Sequence, residues 1–237
     1  MIRTIIWFII FWIYLIVSLF QNIRYWYFGK VGNEEKQTKI LHNTTSRWAR
    51  NMVRFTGTKV EVKGEENIPD RNVLFVSNHQ GNFDIPVMMG YIPKLKGFVA
   101  KIELAKMPIV SGWMKKLGCL FLDRKDPRQS LKTILKGIEE LKEGKNLVVF
   151  PEGTRSKGRY TIGEFKKGSL KLAIKSGVPI VPVTIDGTYK ILEERNRISK
   201  TKVSITIHEP IYMENLSNEE KNELTNYVYD IIKSGLQ

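Results

Sequence analysis

Cysteine is nearly missing from this chain: its 237 residues include one, Cys119. An intrachain disulfide is therefore excluded, and the composition fits a reducing compartment. Within Cys119-Leu120-Phe121-Leu122 the thiol reads as a buried strand residue rather than a nucleophile. Acidic residues are scarce, 24 Asp and Glu against 38 Lys and Arg, giving a net charge of +14 and a pI near 9.7. A field of that sign favours anionic partners: nucleic acid, an anionic bilayer surface, phosphorylated substrates or an acidic carrier protein. Charge alone does not choose among them. No internal repeat or low-complexity stretch is present, and the length suits one substantial core with a small appended element.

Residues 5–20 are almost wholly apolar, rich in Ile, Phe and Trp, and flanked by Arg3, Gln21, Arg24 and Tyr25-Trp26-Tyr27. This reads as a membrane segment. As a helix it reaches about 24 Å, short of the roughly 30 Å hydrocarbon core, which argues for association with one leaflet. Bulky aromatics follow where a signal peptide would need small residues for cleavage. After a break at 29–32, residues 34–55 carry Leu41, Thr45, Trp48, Met52 and Phe55 at helical spacing, with Lys36, Lys39, Arg47, Arg50 and Arg54 around them. A basic amphipathic helix of this kind lies in a lipid interface or packs its apolar side on the rest of the protein. Residues 1–57 thus read as a two-helix membrane-anchoring motif and 58–237 as an α/β domain.

In that domain short apolar runs alternate with amphipathic segments, predicting a single, mostly parallel sheet of about seven strands flanked by helices. The strands fall at 59–62, 73–77, 97–100, 119–122, 147–150, 180–185 and 202–208. One helix is capped by Asp126-Pro127, buries Leu131, Ile134, Leu135, Ile138 and Leu141, and stops at Gly144. A second runs over 165–176. The last opens on Ser217 and Glu220 in capping-box spacing and passes through Leu224, Tyr227, Val228 and Ile231.

The segment Asn78-His79-Gln80-Gly81-Asn82-Phe83-Asp84 follows the second strand. Residues five apart sit about 140° round a helix and on opposite faces of a strand, so His79 and Asp84 meet only across a turn, for which Gly81 supplies freedom. The pair is then a general base with its orienting carboxylate, which suggests acyl or related group transfer. The same residues fit Asp84 as a helix N-cap ahead of Pro86, with His79 an ordinary loop residue. Other strand ends deliver Lys101, Asp123-Arg124-Lys125 and Pro151-Glu152-Gly153-Thr154-Arg155-Ser156. Ligands bind outside the carboxyl ends of such strands, and guanidinium groups with a glycine-containing turn suit a phosphate.

Together with Gly118-Cys119-Leu120-Phe121-Leu122-Asp123-Arg124 and Val178-Pro179-Ile180-Val181-Pro182-Val183, these segments resemble the four ordered motifs of the glycerolipid acyltransferases. The branch most similar is the bacterial 1-acylglycerol-3-phosphate (lysophosphatidate) acyltransferases, matched over residues 60–190. The resemblance implies His79 and Asp84 as the catalytic pair, phosphate contact through Arg124, and acceptor binding through Glu152, Gly153, Thr154 and Arg155. Lys101 is a weaker phosphate candidate. Glu152 is expected to bond the glycerol, lock Arg155 or serve only as a turn acid, and 178–183 to meet the acyl chain or be core.

The implied reaction moves an acyl group from an acyl thioester, on acyl carrier protein or coenzyme A, to the sn-2 hydroxyl of 1-acylglycerol-3-phosphate, making phosphatidate. No cofactor, metal or nucleic acid enters it, the carrier being a co-substrate. The expected location is the cytoplasmic face of the cell inner membrane. Backbone N–H groups near His79 are the first guess for oxyanion donors. A glycerol-3-phosphate acyltransferase uses the same groups, while a non-catalytic basic membrane-binding protein leaves them without a role.

Overall fold

The computed structural model describes residues 1–156 and 161–236. Seven strands form one sheet: β1 (Lys59–Lys63), β2 (Leu74–Ser77), β3 (Gly97–Lys101), β4 (Leu120–Leu122), β5 (Leu147–Val149), β6 (Ile180–Asp186) and β7 (Lys202–Ile207), in the order β1-β7-β6-β2-β5-β3-β4. Every pairing is parallel except β6 with β7. Leu74 of the central β2 faces Leu147 on one side and Ile180 on the other.

The helices are α1 (Ile2–Lys30), α2 (Glu34–Arg54), α3 (Asp84–Tyr91), α4 (Val110–Lys116), α5 (Pro127–Lys142), α6 (Lys171–Ser176) and α7 (Asn218–Ser234). Alternate strand residues face opposite ways, and the core divides accordingly. Phe75, Val148, Val181 and Val183 pack with Met52 of α2, Val87 and Met88 of α3 and Trp113 of α4. Leu74, Val76, Leu147 and Ile180 pack with Ile138 of α5, Leu172 of α6 and Leu224 and Val228 of α7. Strands covered on both faces read as continuous apolar runs, which is why they stand out in the sequence.

Helix ends follow their predicted punctuation. Asp126 accepts from the N–H groups of Arg128 and Gln129 with Pro127 opening α5, and Ser217 and Glu220 form a capping box on α7. Three expectations are corrected. α6 starts at Lys171, after a 3-10 turn at Lys167–Ser169, and not at 165. Leu131 and Leu135 are exposed on α5, whose inner face is Thr133, Gly137, Ile138, Glu140 and Leu141. Tyr227 and Phe55 are likewise exposed.

α2 buries its apolar side, as the packing alternative held. Ala49, Met52 and Val53 are covered, the Arg50 guanidinium donates to the Gly90 carbonyl at 2.5 Å, and a Cβ on Gly90 would lie 2.9 Å from the backbone nitrogen of Arg50. A glycine there lets α2 and α3 approach closely. α1 is longer than its apolar run, 29 residues or about 44 Å. It is the one described helix long and apolar enough to cross a membrane. One side is tied down: Trp7 Nε1 donates to Met52 O (2.9 Å), Asn51 to the Tyr14 hydroxyl (3.1 Å) and Trp113 Nε1 to Ser18 Oγ (3.0 Å). The rest, including Ile5, Ile9, Ile13, Ile16 and Phe20, is exposed.

Candidate active site

The turn after β2 is held from two sides. Asn78 clasps β6, donating to Ile185 O and accepting from Ile185 N, both at 2.8 Å. On the other side the 150–156 turn grips the His79 backbone: Glu152 accepts its N–H at 2.7 Å, and its carbonyl accepts from the N–H and hydroxyl of Ser156 at 2.8 and 2.9 Å. The imidazole stacks on Phe150, centroids 4.3 Å apart.

His79 Nδ1 lies 2.6 Å from Asp84 Oδ2, and that oxygen also accepts from the N–H groups of Gln80 (2.6 Å) and Gly81 (2.9 Å). A carboxylate oxygen so used calls for a donor from the imidazole, which places the proton on Nδ1 and leaves Nε2 as the acceptor. Asp84 is fully buried. It is the first residue of α3, with Phe83 at the capping position, so its carboxylate turns back to the loop rather than capping the helix. Gly81 is not left-handed. Its need is space, since a Cβ would lie 2.7 Å from Glu193 Oε2.

His79 opens on a cavity of about 430 Å³ whose lining includes Lys101, Arg124, Gly153, Thr154 and Arg155. Lys101 ends β3 and Arg124 follows β4, while Phe98 and Cys119, near the starts of those strands, line it further back with Trp113 and Met114. The Arg124 turn is set by Asp123, whose N–H donates to Gln129 and whose carboxylate accepts from Lys125 N. Arg155 pairs with Glu193 at 3.2 Å. Glu152 is buried and outside the cavity lining, and Arg155 pairs with Glu193 instead, so of the alternatives for Glu152 the turn acid is the one its position fits. Its carboxylate accepts from His79 N, Gly163 N and Ser156 Oγ. Burial pushes its pKa up, against the opposing pull of those hydrogen bonds.

Residues 59–186 match the Acyltransferase family model. The chain belongs to the acyltransferase family. The crystal structure of the 1-acyl-sn-glycerophosphate (LPA) acyltransferase PlsC from Thermotoga maritima superposes with a TM-score of 0.88 at 34% identity, covering 99% of this chain and 93% of that one. A 1-acyl-sn-glycerol-3-phosphate acyltransferase of Borreliella burgdorferi is 34% identical over 77% of this chain and 74% of its own length. The chloroplastic 1-acyl-sn-glycerol-3-phosphate acyltransferase BAT2 of Brassica napus is 34% identical over 78% of this chain. The chain spans only about half of that protein's length, 55%.

Within this acyltransferase domain the N–H groups of the His79 turn itself are committed elsewhere and are not free oxyanion donors. The N–H groups of His79, Gln80, Gly81 and Asn82 are all taken, by Glu152, Asp84, Asp84 and Glu193. The cavity-lining side chains Arg124, Lys101 and Thr154 are donors in reach of the space. Burial pushes the Cys119 thiol up to about 12, which keeps it protonated and no nucleophile. Residues 178–183 lead into and form β6, buried and away from the cavity lining, so they are core.

Three contributors escape sequence reading. Thr188 donates its hydroxyl to Asp84 Oδ1; Gln80 Oε1 accepts Gly187 N–H at 2.9 Å; and Glu193 Oε1 accepts from both Asn82 N–H and Arg155. All are long-range contacts, and no local spacing signals them.

Proposed function

We propose that this chain transfers a fatty acyl group from an acyl thioester, on acyl carrier protein or coenzyme A, to the free sn-2 hydroxyl of 1-acylglycerol-3-phosphate, making phosphatidate. The observation that carries the reading is the 2.6 Å contact between His79 Nδ1 and Asp84 Oδ2 on a cavity with basic groups at its mouth and apolar walls behind. His79 Nε2 takes the hydroxyl proton as that oxygen attacks the thioester carbonyl. Collapse of the tetrahedral intermediate breaks the C–S bond, and the thiolate leaves and takes the proton from the imidazolium that Asp84 stabilises. No acyl-enzyme and no cofactor are required, because the acceptor hydroxyl is itself the activated nucleophile.

Arg124, with Arg155 second, holds the acceptor phosphate and so fixes which hydroxyl meets the base. Thr154 and Lys101 add donors, while Gly153, whose N–H is given to the Phe150 carbonyl, shapes the turn that lines the space. Glu152 acts through His79, by holding its backbone. The apolar space behind, along β3 and α4, takes the donor chain. The protein works at the cytoplasmic face of the cell inner membrane, held by α1 and α2, where acceptor and product are bilayer lipids. Its basic surface attracts anionic lipid and an acidic carrier. The activity named for the Borreliella burgdorferi and Thermotoga maritima relatives supports the acceptor.

Purified protein given lysophosphatidate with palmitoyl-coenzyme A or palmitoyl carrier protein is expected to yield phosphatidate and free thiol in equal amounts. Acylation of glycerol-3-phosphate instead, or fatty acid release without acceptor, would overturn the assignment.

A further inference from the structure

A second recess adjoins the cavity. It holds about 260 Å³ and is lined by Trp7 and Phe11 of α1, Met52 of α2, Phe83 before α3 and Leu192 in the loop after β6. Trp48, Asn82 and Ile85 line both spaces, so a thin wall separates them. The described lining of the recess contains no charged residue. Hydrocarbon suits it, and a charged headgroup does not.

The recess meets the site at a definite place. Asn82 sits on the turn that carries His79, and its N–H is held by Glu193, next in sequence to Leu192. The same Glu193 oxygen pairs with Arg155. One loop therefore joins the apolar recess, the catalytic turn and Arg155, whereas β3 and α4 line the cavity and contribute nothing to the recess.

The reaction proposed above brings two molecules to one histidine, and each carries one long apolar chain. The cavity behind Lys101 and Arg124 accommodates one of them. With the phosphate held by Arg124 and Arg155 and the reacting hydroxyl at His79 Nε2, the acceptor lies in the space that Asn82 also lines, beside the wall of the recess. We infer that the recess between α1, α2 and Leu192 binds the existing acyl chain of the lysophosphatidate acceptor. The inference rests on the acceptor assignment and deepens it. Separate chain sites let acceptor and donor be selected independently, since the residues that bound the two spaces differ beyond the shared wall.

The test is photolabelling of the intact protein in detergent, without donor, by lysophosphatidate carrying a diazirine near the end of its chain. Label displaced by unlabelled lysophosphatidate is expected on Met52, Phe83 or Leu192. In parallel, Leu192→Trp is expected to raise the KM for palmitoyl-lysophosphatidate about tenfold through overpacking, without changing the order of preference among donor chain lengths. Displaceable label on α4 instead, or an altered donor preference in Leu192→Trp, would overturn the inference. Labelling that unlabelled lysophosphatidate displaces nowhere would remove the acceptor assignment itself.

Discussion

The hydroxyl of Thr188 donates to Oδ1 of Asp84, the oxygen that His79 leaves unused. With Gln80 and Gly81 on Oδ2, the carboxylate is held on both oxygens and cannot rotate away from the imidazole. Thr188→Val keeps the shape and removes the donor. A hydrogen bond to a charged group contributes about 1.5 to 3 kcal/mol, so kcat should fall at least about tenfold with acceptor KM little changed, and Thr188→Ser should restore it. Steady-state kinetics with unchanged kcat in Thr188→Val would mean that the Oδ1 contact plays no part in orienting the base.

The two arginines should differ. Arg155 is already paired with Glu193, whereas Arg124 has no hydrogen bond or ion pair among the described residues. Arg124→Ala should raise the acceptor KM roughly 10- to 150-fold, with the thioester KM little changed, and lysine should restore only part because it lacks the planar fork. A variant that weakened only the donor would assign Arg124 to the carrier's phosphates.

Glu152 carries a pH dependence of stability. Burial raises its folded-state pKa above the ordinary 4.5. From that value up to its folded titration, the native state holds more protons than the unfolded one, so its contribution is fully present below 4.5 and is lost as pH rises through the folded pKa. Glu152→Gln cannot ionise. Its amide also opposes a donor to the N–H of Gly163 or His79, so it should be destabilised overall. Urea denaturation across that window should show the gap to the parent protein narrowing as pH rises. A gap that stays constant or widens would contradict the linkage.

α1 is bonded to the body from Thr4, which accepts Ile198 N–H, through Trp7 and Tyr14 to Ser18. A helix tied along its length in this way lies on the body rather than leaving it to reach the far leaflet. Single-cysteine labelling at positions 1 and 24, in sealed vesicles, is predicted to find both on one side. Labels on opposite sides would show that α1 spans.

The sheet was legible because strands buried on both faces give unbroken apolar runs, and His79 with Asp84 because a short turn joins them. Leu131 and Leu135 misled because periodicity marks an apolar stripe without saying how far the neighbouring elements cover it. Thr188, Glu193 and the occupied N–H groups of the turn were illegible for another reason. The Thr188 and Glu193 contacts join segments about a hundred residues apart, brought together by β6 lying beside β2, and the His79 N–H meets Glu152 through β5 on the other side, while those of Gln80 and Gly81 turn onto nearby Asp84. Glu152 was visible as a motif residue, but not its direction: the turn that brings Arg155 to the cavity sends the Glu152 carboxylate under the histidine.

The central claim is that His79 is the general base. Its most direct test is phosphatidate formation and thiol release by His79→Ala, measured with acceptor binding followed separately. The predicted result is a fall in turnover of roughly 10²- to 10⁴-fold with acceptor affinity largely retained, and near-normal turnover in His79→Ala would contradict the account.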